Sequence, residues 1–357
     1  EDGTYFLAGK NDYSHPLALT NHVTNKNNGL DYISSWLVDF QVTDYLNLKS
    51  QVNYKYGSSI SDAYYPKVYT ETGDFNNGAA VLSNWMGQNV VSETYLTFEK
   101  TFSDLHKINA MLGHSYEYSM SRGSTLNSYD FVNEATGNEN MSSGDPEKNR
   151  HSNSYSSTKL LSFMGRINYS LNNTYLFTAT MRVDGSSKFG ANNKLAYFPS
   201  GAISWKAHNE EFIKSLGIFD ELKVRLSYGI SGNQGISPYQ TLSRYGVEQY
   251  YDNGKWNTAI GPGYIVGYEG DSYRFKIWGG IPNVDLRWET TAQSNLGLDM
   301  AFFERRIRTT FDYYVKNTSD LLRERILSLS SGYNRMWVND GEIQNKGFEF
   351  SVDGDII

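Results

Sequence analysis

From Leu161 to Val183 apolar and polar residues alternate almost one for one, a pattern that an α-helix cannot turn to a single face. Leu161, Phe163, Gly165, Ile167, Tyr169 and Leu171 share one side, and Ser162, Met164, Arg166, Asn168 and Ser170 the other. After Asn172 and Asn173 the alternation resumes, with Tyr175, Phe177, Ala179, Met181 and Val183 set against Thr174, Thr178, Thr180, Arg182 and Asp184. So short a link predicts an antiparallel pair. The same rhythm places Leu48, Val52, Tyr54 and Tyr56 opposite Lys49, Gln51, Asn53 and Lys55, and Leu222, Val224, Leu226 and Tyr228 opposite Lys223, Arg225 and Ser227. It recurs at Leu296, Leu298, Met300 and Phe302, and again at Ile307, Phe311, Tyr313 and Val315. Read in this way the chain holds about eleven strands.

The connections alternate between very short and very long. Short links fall near Thr43 and Asp44, at 103–106, at 172–173 and at 303–305; long polar ones fall near 58–89, 119–157, 233–286 and 317–340. Outer-membrane barrels have this asymmetry, with tight turns on one side of the membrane and extended loops on the other. The link 208–221 is an exception on the short side, and Glu210 to Lys214 are expected to form one helical turn in it. Strand after strand also carries Arg, Lys, Asp or Glu on its polar face. A dry soluble core could not hold these without a partner for each, whereas a wet or plugged lumen can.

Composition agrees. The 28 Tyr, 18 Phe, 7 Trp and 32 Gly, against 7 Pro and no Cys, favour pleated, aromatic-rich strands. Without cysteine there is no disulfide scaffold and no thiolate metal site. The mean hydropathy of −0.54 would ordinarily suggest a soluble protein, and no run of about 18 apolar residues offers a membrane helix. Barrel strands evade both tests, because lipid-facing and lumen-facing residues alternate and average out. The net charge of −7 is spread along the chain with no basic block, so nucleic acid is not expected as a partner. Glu1 opens the chain in a polar stretch with no basic-then-apolar leader, as in a piece of something longer.

Residues 175–205 read YLFTATMRVDGSSKFGANNKLAYFPSGAISW, which resembles the barrel signature of SusC/RagA proteins. LKVRLSYGISGNQGISPYQ at 222–240, LRWETTAQSNLGLDMAFFERRIRTTFDYYVKNTSDLL at 286–322 and NKGFEFSVDG at 345–354 follow in matching order. The resemblance implies an all-β fold: part of an antiparallel transmembrane barrel of the roughly 22-stranded TonB-dependent kind, its plug domain lying outside this sequence. Residues 1–357 would then be one barrel domain truncated at both ends. It further implies an importer of oligosaccharides or oligopeptides in the cell outer membrane, in contact with its lipid. Such an importer would be energised by the TonB complex through an N-terminal part absent here, and lidded by a SusD-like surface lipoprotein. A receptor or adhesin without energised transport, and a secreted β-rich glycan-binding protein, are the alternatives.

No catalytic set emerges. The six histidines, at 15, 22, 106, 114, 151 and 208, lack the spacing of a helical metal pair, and there is no Gly-x-Ser-x-Gly elbow. Acidic pairs such as Glu210 with Glu211, or Glu248 with Asp252, are too common here to mark a hydrolase. The run from Arg182 to Ser187 lacks the spacing of a calcium or phosphate loop, and reads as a strand exit whose Arg182 and Asp184 satisfy lumenal neighbours. No enzyme, cofactor or metal is therefore expected. Ligand contact is assigned to loop aromatics and their polar neighbours: Trp85, with Tyr64 and Tyr65, in the 58–89 region; Tyr250, Tyr251, Asp252, Asn253, Trp256 and Trp278 in the longest loop, which also carries Tyr264, Tyr268 and Tyr273; and Trp337 in the last. Sugar rings present C–H faces that lie flat on such side chains. Packing among the loops competes with that role at each position. Tyr118, Tyr169, Tyr175 and Trp205, near strand ends, read as interfacial girdle.

Overall fold

The computed structural model describes residues 16–67, 78–243, 246–252, 255–261, 265–269, 272–276, 281–331, 333 and 335–355. Eleven strands form one antiparallel sheet: β1 (Thr24–Thr43), β2 (Leu46–Tyr65), β3 (Ala79–Phe102), β4 (His106–Tyr129), β5 (Arg150–Leu171), β6 (Tyr175–Ser186), β7 (Leu195–Lys206), β8 (Glu221–Asn233), β13 (Glu289–Phe302), β14 (Ile307–Ser319) and β17 (Glu342–Gly354), hydrogen-bonded in that order. Between β8 and β13 lie two hairpins, β9 (Gly246–Asp252) with β10 (Lys255–Gly261) and β11 (Ile265–Glu269) with β12 (Ser272–Lys276). A third, β15 (Leu322–Ile326) with β16 (Arg335–Asn339), separates β14 from β17. Among the described residues helix is confined to α1 (Pro16–His22), the single turn α2 (Glu211–Lys214) and a few 3-10 turns, so the expected turn after Glu210 is present. Among the described residues no helix is long and apolar enough to cross a membrane, which leaves any crossing to strands.

Register explains the alternation. One row runs Tyr169, Phe177, Ile203, Leu226, Leu296, Tyr313, Phe348 across seven neighbouring strands, and the next runs Leu171, Tyr175, Trp205, Val224, Leu298, Phe311, Phe350. Ile203 and Leu226 are 51 % and 55 % exposed although their strands are paired on both sides. An apolar row open along its whole length is a surface for hydrocarbon, since water would leave it unburied. The opposite face carries the charges. Arg225 donates to Asp299 through Nε and Nη2, both at 2.8 Å, and reaches Asp312 at 3.1 Å. It can do so because Gly297 stands between Arg225 and Asp312 in the same row; a Cβ there would lie 2.6 Å from the guanidinium. Arg182 likewise spans Asp184 at 2.8 Å and Ser162 at 2.9 Å, the strand-exit arrangement read from the sequence.

Three of the short links are tight because they use left-handed backbone. Ser103 and Asp104, Asn172 and Asn173, and Phe303, Glu304 and Arg305 all have φ between 49° and 65°. Such pairs match the twist of adjoining strands. Two of the long links are shorter than the sequence suggests. In the 58–89 region β2 runs on to Tyr65 and β3 already begins at Ala79, and in the 119–157 region β4 runs on to Tyr129 and β5 begins at Arg150. A 24-residue strand is roughly 80 Å long, more than twice what a ~25 Å apolar band needs even when tilted. Beyond that band both faces meet polar surroundings, so the two-residue contrast fades while the ladder continues.

Two compact units are drawn from the chain. One takes in Glu1–Ser35, Asn53–Val91 and Tyr118–Ser157; the other takes in Trp36–Val52, Ser92–Glu117 and Thr158–Ile357. Each has a small apolar core of its own. In the first, Tyr64, Ala80 and Phe131 pack with Met141; in the second, Phe189, Phe198, Ile236, Leu286 and Trp288 pack with Leu160, Leu322 and Trp337 among others.

Candidate functional site

Register places Trp256 opposite Tyr251, Lys255 opposite Asp252, and Tyr250 opposite Asn257 in the β9–β10 hairpin, so Trp256 and Tyr251 occupy facing positions and Tyr250 is one residue out of phase. Tyr268 and Tyr273 are paired in register in the β11–β12 hairpin. Asn253, Tyr264 and Trp278 lie outside the described residues.

Trp85 is not in a loop. It sits within β3, on the face that also bears Asp31 and Gly57, the polar side of this unit; Tyr32 and Tyr54 pair on the other, 6.1 Å apart. Its indole lies down on the sheet. A Cβ on Gly57 would come 2.9 Å from Cζ3, and one on Gly87 would come 2.6 Å from Cζ2. Nε1 donates to Ser121 Oγ at 3.0 Å, and the residue remains 46 % exposed. Sequence reasoning listed the indole but missed Gly57, Gly87 and Ser121. A signal existed, since two glycines interrupting strand interiors mark a close approach.

In the same unit the 130–149 link is tied down at both ends. Ser128, almost fully buried, donates to Met141 O at 2.7 Å, and Asn138 donates to Asp62 at 2.9 Å. Tyr64 donates its hydroxyl to Glu134 at 3.1 Å, and the amide of Lys67 donates to the same carboxylate at 2.6 Å. Burial raises the Tyr64 phenol well above its usual range, and the Glu134 hydrogen bond and charge push it further the same way.

Trp337 belongs to the core of the second unit. It sits in β16 and packs against the cluster around Trp288, with its backbone carbonyl accepting from Asn283 at 2.8 Å. Its indole Nε1 is buried with no hydrogen-bond partner among the described residues. The hairpin carrying it is bound by charge. Arg323 and Arg325 both donate to Asp340, at 2.5 and 2.8 Å, and Arg335 holds Glu324 at 3.0 Å. The hydrogen bonds from Arg325 and Arg323 hold the Asp340 carboxyl below its ordinary value. Arg287 grips Asp320 through Nε and Nη2 at 3.0 and 2.7 Å, and that bond raises the guanidinium further still. On the short-link side, Tyr175 and Trp205 both donate to Glu210, at 2.7 and 3.3 Å, and His106 pairs with the Tyr169 hydroxyl at 2.7 Å.

The arrangement contains an open, anchored indole on a polar face, hairpins rich in aromatic positions, and loops clamped by ion pairs. A family model described as TonB dependent receptor-like, β-barrel matches residues 2–356. TonB-dependent receptor P3 of Formosa agariphila is 33 % identical over 352 residues, covering 98 % of this chain and 33 % of the relative. TonB-dependent receptor SusC of Bacteroides thetaiotaomicron is 38 % identical over 195 residues, which is 54 % of this chain and 18 % of that protein. The chain thus spans about a third of the length of P3 and less of SusC. Among solved structures, that of the RagAB peptide transporter superposes with a TM-score of 0.82 at 21 % identity, covering 99 % of this chain and 37 % of that one.

Proposed function

Because this chain belongs to the TonB dependent receptor-like β-barrel family, we propose that the protein it comes from is an energy-coupled importer of oligosaccharides or oligopeptides. The chain is SusC/RagA-like barrel of the bacterial outer membrane, and the relatives it matches are receptors rather than enzymes. The observation that carries the reading is the pair of faces. A continuous apolar row crosses seven strands on one side, while the Arg225, Asp299 and Asp312 network lies on the other. Such a sheet separates lipid from a polar interior, as a transport wall must.

In the first unit ligand would meet the polar face at Trp85. Taken separately, in the second unit it would meet the hairpin positions Tyr250, Tyr251, Asp252 and Trp256, with Asn253 and Trp278 in the same long link. Trp337 would act there indirectly, by fixing the loops. A SusD-like surface lipoprotein would close the site from outside, and the TonB complex would drive release. Peptide transport by RagAB, whose fold is shared, keeps oligopeptides beside oligosaccharides in the proposed substrate class. The test is uptake of labelled nutrient by cells carrying the full-length protein, with and without an intact TonB system, together with mass spectrometry of what co-purifies in detergent. TonB-dependent uptake and a stoichiometric lipoprotein are expected. Surface binding without energised uptake would leave a receptor instead.

A further inference from the structure

We propose that the polar face around Trp85 is a sugar subsite, in which the indole is the platform for a pyranose ring; this rests on the importer reading above. The indole lies over two glycines. Gly57 on β2 and Gly87 on β3 let it lie against the backbone of two strands, and a methyl group at either position would collide with it. The outer edge of the six-membered ring is thereby brought down to backbone, and the residue keeps 46 % of its surface open. The Ser121 hydroxyl holds the indole nitrogen at 3.0 Å, so the plane is set before any ligand arrives and little side-chain freedom is lost on binding.

What surrounds the ring suits hydroxyl groups. Asp31 Oδ1 lies against the same Gly57, 3.0 Å from where its Cβ would be, and Ser83 and Thr125 form a hydroxyl pair at 3.1 Å. A sugar offers an apolar C–H face to the indole and hydroxyls at its rim to a carboxylate and serines, which is the division of chemistry found here. A peptide is served less well. β2, β3 and β4 are each hydrogen-bonded to a neighbour on both sides, so the sheet has no free backbone edge there for an extended peptide to pair with.

The experiment uses the full-length protein in detergent, titrated calorimetrically with a panel of neutral hexasaccharides of differing linkage and, separately, with a mixed hexapeptide pool. Heat-modifiable mobility on gels checks that each variant is a folded barrel. At least one hexasaccharide is expected to bind. Trp85→Ala should weaken it roughly tenfold, and Trp85→Phe should weaken it less. Gly87→Ala keeps the indole but lifts it off the backbone, and should also weaken the sugar. Sugar affinity unchanged in Trp85→Ala, no hexasaccharide bound by the wild type, or peptide binding that depends on Trp85 would each overturn the subsite. Uptake in cells separates the two readings. Sugar bound through Trp85 without TonB-dependent uptake sinks the importer alone, and energised uptake untouched by Trp85→Ala and Gly87→Ala sinks the subsite alone.

Discussion

Trp85 and Trp288 show how one residue type becomes surface or core. Trp288 is 5 % exposed, with Phe189 and Phe198 at ring distances of 5.0 and 5.6 Å and its N–H on the carbonyl of Lys194 at 3.3 Å. Trp85 has glycine backbone beneath it and 46 % of its surface open. The difference lies in what crosses each ring. Around Trp288, Asn192 and Asn193 bind Asp285 at 2.8 Å each, and Gly190 lets the backbone of Val284 come close, so separate links are stitched into one lid over the indole. Burial in a sheet with one polar face is thus made by loops folding onto loops, and a ring those loops leave uncovered stays available.

The comparison can be broken at its strongest point first. Trp288→Ala empties a packed site and should cost about 3–5 kcal/mol of local stability, read as faster amide exchange across 187–194 and 281–288 in the full-length protein. Trp85→Ala should leave exchange in β2 and β3 nearly unchanged; equal effects would mean that both rings are core. The glycines sharpen the contrast next. A Cβ on Gly190 would lie 2.1 Å from Val284 O, a backbone atom, whereas the atoms nearest to one on Gly87 belong to the Trp85 ring. Gly190→Ala should therefore cost about 1–3 kcal/mol and loosen the 281–288 segment, while Gly87→Ala should shift the indole fluorescence with little loss of stability.

Trp337→Phe is a smaller change, because the lost Nε1 had no partner. A shift within about 1 kcal/mol in either direction is expected, and a large loss would reveal a hydrogen bond on that nitrogen. The smallest effect concerns pH. The Asp340 carboxyl, lowered from its ordinary 3.8 by Arg325 and Arg323, stabilises its hairpin above that value. That contribution fades only as the pH falls below 3.8 towards the lowered value. Exchange in Leu322–Ile326, taken relative to the intrinsic amide rate at each pH, should therefore be level from neutrality to about pH 4 and rise below it. Asp340→Asn should flatten that rise.

The strands of the described sheet were legible because a one-for-one alternation has only one regular backbone that satisfies it. Leu161 to Val183 specify two strands and the turn between them, and the register then carries Tyr169 and Phe177 into one row. The outer halves of β2 to β5 were read as loop, since Ser58, Ser59 and Ser61, or Asn84 and Gln88, present no contrast between faces. Trp85 was singled out from residue type alone and assigned to the wrong element. Trp337 carried the same sequence signal as Trp85, a tryptophan in a polar stretch, and only its packing against the core cluster that contains Trp288 tells them apart.

By itself, then, the sequence determined the all-β class, the strand pairing and the sense of the two faces. Each of those follows from neighbours a few residues apart, through a side-chain period of two and turns that accept positive φ. Tertiary structure decided which aromatics are covered. The Arg225 network needs Gly297 on a strand dozens of residues away, the Trp85 platform needs Gly57 and Ser121, and the Trp288 core needs Phe189 and Leu286. Contacts of that range depend on where folded strands deliver their ends, and a local pattern holds no record of it.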